Sequence, residues 1–382
     1  MKIIHVIGSF DPAKGGPQAV VVRLAAAQAG LGHQVTIVSY SDDEINYRAS
    51  KATASVPHFN KVRAFMLPMP SLQETITGNC AAKALTALIK GADFVHLHGV
   101  WEMILLRAAR LCRSYGVGYC ICCCGMLDVW SMKQKSLKKK LALQLGFRKM
   151  LDGAAFIQTL NQDEAELMRP LRLLPLSITI PNGIFLNEIE GSEPRRDGLP
   201  DRPFVLFLSR LHYKKGLDIL AEAFRLIAPR YPDIDLVVAG PDGGSKGEFL
   251  SSIRKAGLES RVHLTGGLYG AAKIAALKNA ICFCLPSRQE GFSVAITEAL
   301  ACSVPVVITE ACHFPEVAEA KAGIICEVSA EAVAAGLMTV LNDPLEASRM
   351  GRAGSRLVEE NYTWPMVAQQ TIKAYSRFTK PG

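Results

Sequence analysis

A chain of 382 residues is two to three times the length of a single domain of roughly 150 residues, so two domains of comparable size are expected. Apolar residues make up 49% and charged residues 20%, which excludes a disordered or collagen-like chain. The net charge of +8 is lopsided: residues 1–180 hold 21 Lys+Arg against 12 Asp+Glu (+9), and residues 181–382 hold 22 against 23 (−1). Two differently charged halves point to different partners, with nucleic acid, an anionic membrane surface and an acidic substrate all open.

No uninterrupted apolar run reaches the roughly 18 residues of a membrane span. The opening MKIIHVIGSF is too short in its apolar part for a signal peptide and lacks a small-residue cleavage site, so it reads as a first strand of a cytoplasmic protein. A helix over 17–31, opening at Pro17, and a strand QVTIVSY follow. Further strands are predicted at ADFVHLH, VGYCICC, AAFIQTL and SITIPN. The pattern restarts with RPFVLFLS, a helix from Lys214, then IDLVVAG, RVHLTG, ICFCLPS and VPVVIT, with a last helix after Pro365. Strand–helix alternation throughout predicts parallel sheets covered by helices, an α/β chain. The stretch NEIEGSEPRRDGLPDRP has linker composition, and the domain boundary is placed near Asn182.

Eleven cysteines in a chain read as cytoplasmic are reduced thiols. The run Cys120, Cys122, Cys123, Cys124 and the pair Cys282, Cys284 lie on predicted strands, which alternate side chains across two faces, so buried strand cysteines are expected rather than a metal site.

The segment CLPSRQEGFSVAITEALACSVPVVIT places Glu290 on a loop and Glu298, eight residues on, inside the helix that starts near Ser293. Both border the carboxyl end of a parallel sheet, where open α/β folds bind ligands, and carboxylates there accept hydrogen bonds from sugar hydroxyls. The amides of Gly291, Phe292 and Ser293 at the helix start suit an anion such as phosphate. Arg210 and Lys215, in FLSRLHYKKGLDIL, sit at a strand end, a forked and a point cation suited to a diphosphate.

These segments, with Gly15-Gly16, HLHGVW, GMLDVW, IPNGI and AGPDGG in this order, resemble the family 4 retaining glycosyltransferases (group 1 glycosyltransferases) of the bacterial polysaccharide-assembly type. The resemblance implies the GT-B fold: two Rossmann-like domains facing across a cleft, over 1–181 and 182–362, with a C-terminal helix, 363–382, returning to the first. It implies that Glu298 holds the nucleotide ribose, Glu290 the transferred sugar, and Arg210 and Lys215 the diphosphate. It further implies that Gly15 and Gly16 admit the donor phosphate and that His98 faces the transferred sugar. A buried structural histidine and a His96–His98 metal pair are the alternatives for that last position. The implied reaction is front-face transfer of a hexose with retention, without a protein base, cofactor or essential divalent metal. The implied partners are a donor, GDP-mannose or a UDP-hexose, and a lipid-linked oligosaccharide acceptor.

Three departures from the pattern are visible: Ser293 stands where glycine is common, Ala271-Ala272 where acidic residues are frequent, and Cys124 where many relatives have arginine. The nearest enzyme alternative is a non-hydrolysing sugar-nucleotide epimerase. A dehydrogenase is excluded because the residues after the first strand, SFDPAKGG, lack the G-x-G-x-x-G spacing. Nucleic-acid binding through KQKSLKKKLALQLGFRK is disfavoured by its leucines and scarce aromatics. A basic amphipathic helix on a membrane fits that run better, with Lys133, Lys135, Lys138, Lys139, Lys140, Arg148 and Lys149 as its cations.

Overall fold

The computed structural model describes residues 1–127, 129–190 and 198–379. Asp128 of the GMLDVW stretch and residues 191–197 of the linker lie outside the described residues. The chain divides into two compact units, Met1–Asn182 with Trp364–Gly382, and Gly183–Thr363.

The first unit is built on seven parallel strands: β1 (Lys2–Ser9), β2 (Gln34–Ser41), β3 (Arg63–Pro68), β4 (Phe94–His98), β5 (Gly118–Cys122), β6 (Phe156–Thr159) and β7 (Ser177–Thr179). Their order is β3-β2-β1-β4-β5-β6-β7. The second has six: β8 (Phe204–Leu208), β9 (Asp235–Ala239), β10 (Val262–Gly266), β11 (Cys282–Leu285), β12 (Val306–Thr309) and β13 (Gly323–Cys326), in the order β10-β9-β8-β11-β12-β13. All pair in parallel. Near-continuous apolar runs such as FVLFL and CFCL are what a sheet covered on both faces requires, and both are buried along most or all of their length.

β3 and β13 escape the sequence pattern. β3 is an edge strand with only Leu67 fully buried, so its alternation is weak, and GIIC offers just four residues. The helix expected from Lys214 begins later: Tyr213–Lys215 is a 3-10 turn, Gly216 takes φ +68, and the helix runs Leu217–Ile227. The helix Trp364–Ser376 belongs to the first unit, where it packs beside the helix Gly16–Gly30. Cys120, Cys122, Cys123, Cys282 and Cys284 are buried, and all eleven thiols are free. Among the described residues no helix is long and apolar enough to cross a membrane.

Candidate active site

In each sheet the chain leaves the first strand toward one edge and later returns to extend the other. The switch lies between β1 and β4 in the first unit and between β8 and β11 in the second. Loops leaving the two strands at a switch point diverge and open a crevice at the strands' carboxyl ends. Gly15 and Gly16 follow β1 and His98 ends β4. Arg210 and Lys215 follow β8, and Glu290 to Ser293 follow β11.

At the second unit's switch point, Lys215 Nζ lies 2.6 Å from Glu290 Oε1, and Ser287 Oγ donates to the same oxygen at 2.7 Å. Glu290 is buried, its amide donates to the Ala311 carbonyl, and its Oε2 has no partner among the described residues. An ammonium has three protons, so Lys215 holds Glu290 and keeps donors for a phosphate oxygen. A clamp that the sequence does not reveal fixes the geometry. Arg288 makes two hydrogen bonds to Asp218, at 2.7 and 2.6 Å, and lies over the Tyr213 ring, tying the loop after β11 to the turn that carries Lys215. That ion pair holds the Asp218 carboxyl below its ordinary range. Gly216 completes the interlock: a Cβ there would stand 1.9 Å from the Pro286 carbonyl oxygen.

Arg210 is exposed, and its guanidinium makes no hydrogen bond or ion pair among the described residues. Its stem lies over Gly243 of the AGPDGG stretch, where a Cβ would come within 2.9 Å of Arg210 Cγ. Glu298, on the helix Val294–Ala301, is paired through Oε1 with Lys273 Nζ at 2.5 Å. Lys273 comes from the helix Gly270–Asn279 and is equally hidden in the sequence, since a lone lysine in an alanine-rich helix gives no signal. Ser293 is the N-cap residue of the Glu298 helix but makes no side-chain capping bond. The Phe292 ring packs against Phe314 and Tyr362, at 5.9 and 6.1 Å between centroids.

In the first unit Gly15 takes φ +111, a conformation open to glycine, and turns the chain into the helix Gly16–Gly30. A Cβ at Gly15 or Gly16 would meet nothing within 4 Å, so the surface over this helix start is open. Glu102 lies directly over Gly8, where a Cβ would meet its carboxylate.

His98 is buried, only 3% exposed, and stacks on His96 with 4.1 Å between ring centroids. His5 completes the group: its Nδ1 is 2.8 Å from His98 Nε2, and its Nε2 is 2.8 Å from Gln28 Oε1. His5 pairs with His96 across β1 and β4, so all three rings share one sheet face. A single histidine inside an apolar strand does not stand out in sequence; the shared two-residue period with His96 and His98 was the available signal. Burial pushes His5 down to about 4, and pushes His96 and His98 well below the ordinary histidine value. The nitrogens lie within 4.8 Å of one another, as a metal site would need. Ring stacking of His96 on His98 sets their in-plane lone pairs side by side, however, and His5 Nδ1 is already bonded to His98. The chain's Asp-x-Asp triplet, Asp233-Ile234-Asp235, starts β9 at the end of the sheet away from the switch crevice, and Asp235 is bound to His263 at 2.8 Å.

Two Rossmann-like parallel-sheet units, each with carboxylates, cations or glycine turns at its switch point, define a GT-B glycosyltransferase. Family models agree: one for "Glycosyl transferases group 1" matches residues 192–357, and one for "Glycosyl transferase 4-like domain" matches 15–183. The chain is 29% identical over 384 residues to a phosphatidyl-myo-inositol mannosyltransferase of Mycolicibacterium smegmatis, covering 98% of this chain and 93% of that one. It is 24% identical over 381 residues to a subunit of the human phosphatidylinositol N-acetylglucosaminyltransferase, covering 98% and 76%. Among solved structures, a sucrose-phosphate synthase from Thermosynechococcus elongatus superposes with a TM-score of 0.77 at 21% identity, covering 98% of each chain. Anabaena Alr3699/HepE, solved with UDP and glucose, gives 0.75 at 17% identity, covering 98% and 99%. The chain belongs to the family 4, group 1 glycosyltransferases, and it is a glycosyltransferase enzyme.

Proposed function

We propose that this enzyme moves a hexose from a nucleoside-diphosphate sugar to a hydroxyl of a lipid-linked glycan, with retention of anomeric configuration and without a metal. The observation that carries the reading is the Lys215–Glu290–Ser287 grouping at the switch point of the second sheet. It puts a donor for phosphate oxygens and an acceptor for sugar hydroxyls on one braced pair. Arg210 adds a free guanidinium for the diphosphate, and preorganised cations of this kind are commonly worth about 3 kcal/mol of barrier each. Glu298, oriented by Lys273, takes the nucleotide's ribose hydroxyls. In the second unit the amides of Phe292 and Ser293 suit phosphate oxygens, and in the first unit the open helix start at Gly15-Gly16 suits an anion. With Glu290 Oε1 held by an ammonium and a hydroxyl, Oε2 is the oxygen left to accept a sugar hydroxyl. The leaving phosphate then accepts the acceptor's proton, which is the chemistry of front-face retention.

Mannose and N-acetylglucosamine transfer to phosphatidylinositol lipids, named for the two relatives above, supports a lipid-borne acceptor. The basic run supports a peripheral place on the cytoplasmic membrane face. Leu137, Leu141 and Leu145 are 80%, 56% and 65% exposed and recur every four residues, with Lys138 and Lys140 exposed beside them. Two expected members of this cationic set turn inward. Lys139 Nζ donates to the Ser131 carbonyl at 2.7 Å, and Arg148 binds Asp152 and the Leu171 carbonyl. Thermal unfolding with UDP, GDP and ADP tests the donor site, since a nucleotide at about 100 times its Kd adds about 2.7 kcal/mol. Stabilisation by one nucleotide, followed by a product of unchanged anomeric configuration, is expected. No stabilisation by any of the three at millimolar concentration overturns the reading.

A further inference from the structure

The helical segments 69–90, 103–115 and 129–149 of the first unit are almost free of negative charge. Together they hold twelve Lys and Arg and one carboxylate, Glu74. Glu74 is buried and turned inward, where it accepts from the Tyr40 hydroxyl and from the amides of Cys80 and Ala81. The helix Met103–Tyr115 carries Arg107, Arg110 and Arg113 at three-residue spacing, which sets them along one side. Arg107 Nε donates to the Thr77 carbonyl at 2.6 Å and Nη2 to Asn79 Oδ1 at 3.0 Å, while Arg113 donates to the Lys149 carbonyl. Arg110, half-buried between them, makes no hydrogen bond or ion pair among the described residues. Its Nη2 lies over Gly146, 2.9 Å from where a Cβ would stand, and Gly146 takes φ +121. Partial burial, then Arg107 and Arg113, lower the Arg110 value from the ordinary arginine range. Apolar side chains flank this row. Leu141 and Leu145 stand exposed on the Gly146 side, and Leu72 and Ile76, 80% and 65% exposed, stand on the helix Leu72–Thr77 that holds Arg107.

We propose that Arg107, Arg110 and Arg113 form a site for the phosphodiester head groups of an anionic phospholipid bilayer, with Leu72 and Ile76 on one side and Leu141 and Leu145 on the other meeting the acyl boundary. This rests on the peripheral-membrane reading above and adds to it a specific anion site centred on Arg110. A guanidinium is weakly hydrated for a cation and presents a fork of donors, so it suits a half-buried place where two phosphate oxygens are to be gripped. Like charges in a row repel, and no carboxylate of the described chain offsets this row; a lipid phosphate does so on contact. The flanking side chains select the source of that phosphate. A free anion leaves the exposed leucines and isoleucine in water, whereas a bilayer covers them beside its head groups.

Vesicle co-sedimentation at about 0.1 M salt tests the site, comparing phosphatidylcholine vesicles with ones that also carry phosphatidylglycerol. The wild-type protein should bind the second kind, and Arg110→Gln should bind them about tenfold less, with thermal unfolding and nucleotide affinity unchanged. Arg110→Lys should recover only part of the loss, since an ammonium has no fork. Arg113→Gln, at an exposed position, should lose about fivefold, and Leu72→Ser with Ile76→Ser should weaken binding at equal charge. Full vesicle binding by Arg110→Gln, while replacement of Lys138 and Lys140 with glutamine reduces it, overturns the arginine site and leaves the membrane reading standing. Failure of the wild-type protein to bind either kind of vesicle overturns both. Stabilisation of the wild-type protein but not of Arg110→Gln by inorganic phosphate, without vesicle binding, assigns the site to a free anion and overturns the lipid.

Discussion

Acidification should destabilise the first unit before its carboxylates titrate. The rings of His5, His96 and His98 are buried and their folded-state values are pushed down by that burial, His5 to about 4. A base whose folded value is lowered is protonated more readily in the unfolded chain, so stability falls as pH falls, from about 7 down to the folded values. At about pH 5.5 an unfolded histidine of pKa about 6.5 is roughly nine-tenths protonated, and each ring that stays neutral in the fold then costs about 1.4 kcal/mol. Three rings give about 4 kcal/mol, a large share of the 5–15 kcal/mol that holds a typical domain. All three tryptophans, Trp101, Trp130 and Trp364, lie in this unit, so their fluorescence reports it alone. Urea unfolding followed by that signal at about pH 7.5 and about pH 5.5 should show the full loss, with about three protons taken up on unfolding at the lower pH. A difference within about 1 kcal/mol would refute the neutral, buried state of the cluster.

Lys215→Met should lower kcat by about a hundredfold or more, because it removes a diphosphate partner and the brace on Glu290 together; unchanged steady-state kinetics would remove Lys215 from the site. Glu298→Ala should weaken nucleotide affinity in calorimetry with little effect on folding, and Lys273→Ala should share that phenotype in weaker form. Gly216→Ala should destabilise the second unit by about 2 kcal/mol or more in calorimetry, since the residue combines φ +68 with a backbone oxygen 1.9 Å from the added carbon. Replacing Lys138 and Lys140 with glutamine should reduce binding to anionic liposomes at low salt, while donor affinity stays unchanged; each cation is worth about 1 kcal/mol near such a surface.

The sequence was most legible where chemistry and secondary structure coincide. Glu290 and Glu298 follow a short apolar strand, Arg210 ends another, and the Gly15-Gly16 turn opens a helix, so residue type and place in the βα unit point the same way. The parts that stayed hidden depend on contacts distant in sequence. Arg288 reads as a surface cation until the fold brings it to Asp218, seventy positions away, and Lys273 is silent until it meets Glu298. Segment charge misled for the same reason. Lys138, Lys139 and Lys140 look equivalent in sequence, but helical rotation turns the middle one inward to Ser131 and the Trp101 ring.

The histidine cluster shows why such a network is hard to read from sequence, and also why it holds in place. His5, Gln28, His98 and Thr371 come from a strand, a helix, a second strand and a helix 343 residues from Gln28. Each alone is a polar residue in an apolar stretch, which in sequence looks like a small error in the pattern. Together they form one buried network: Gln28 Nε2 reaches the hydroxyls of Thr371 and Tyr375 at 2.9 and 3.3 Å, Gln28 Oε1 meets His5, and His5 meets His98. Removing a member would leave its neighbour unpartnered in a buried site, at about 1–3 kcal/mol. The C-terminal helix therefore takes part in the network that ends on His98. Shortening the chain before Thr371 should lower the urea midpoint of the first unit, because Gln28 Nε2 loses both its partners, Thr371 and Tyr375; an unchanged midpoint would refute a structural part for this network.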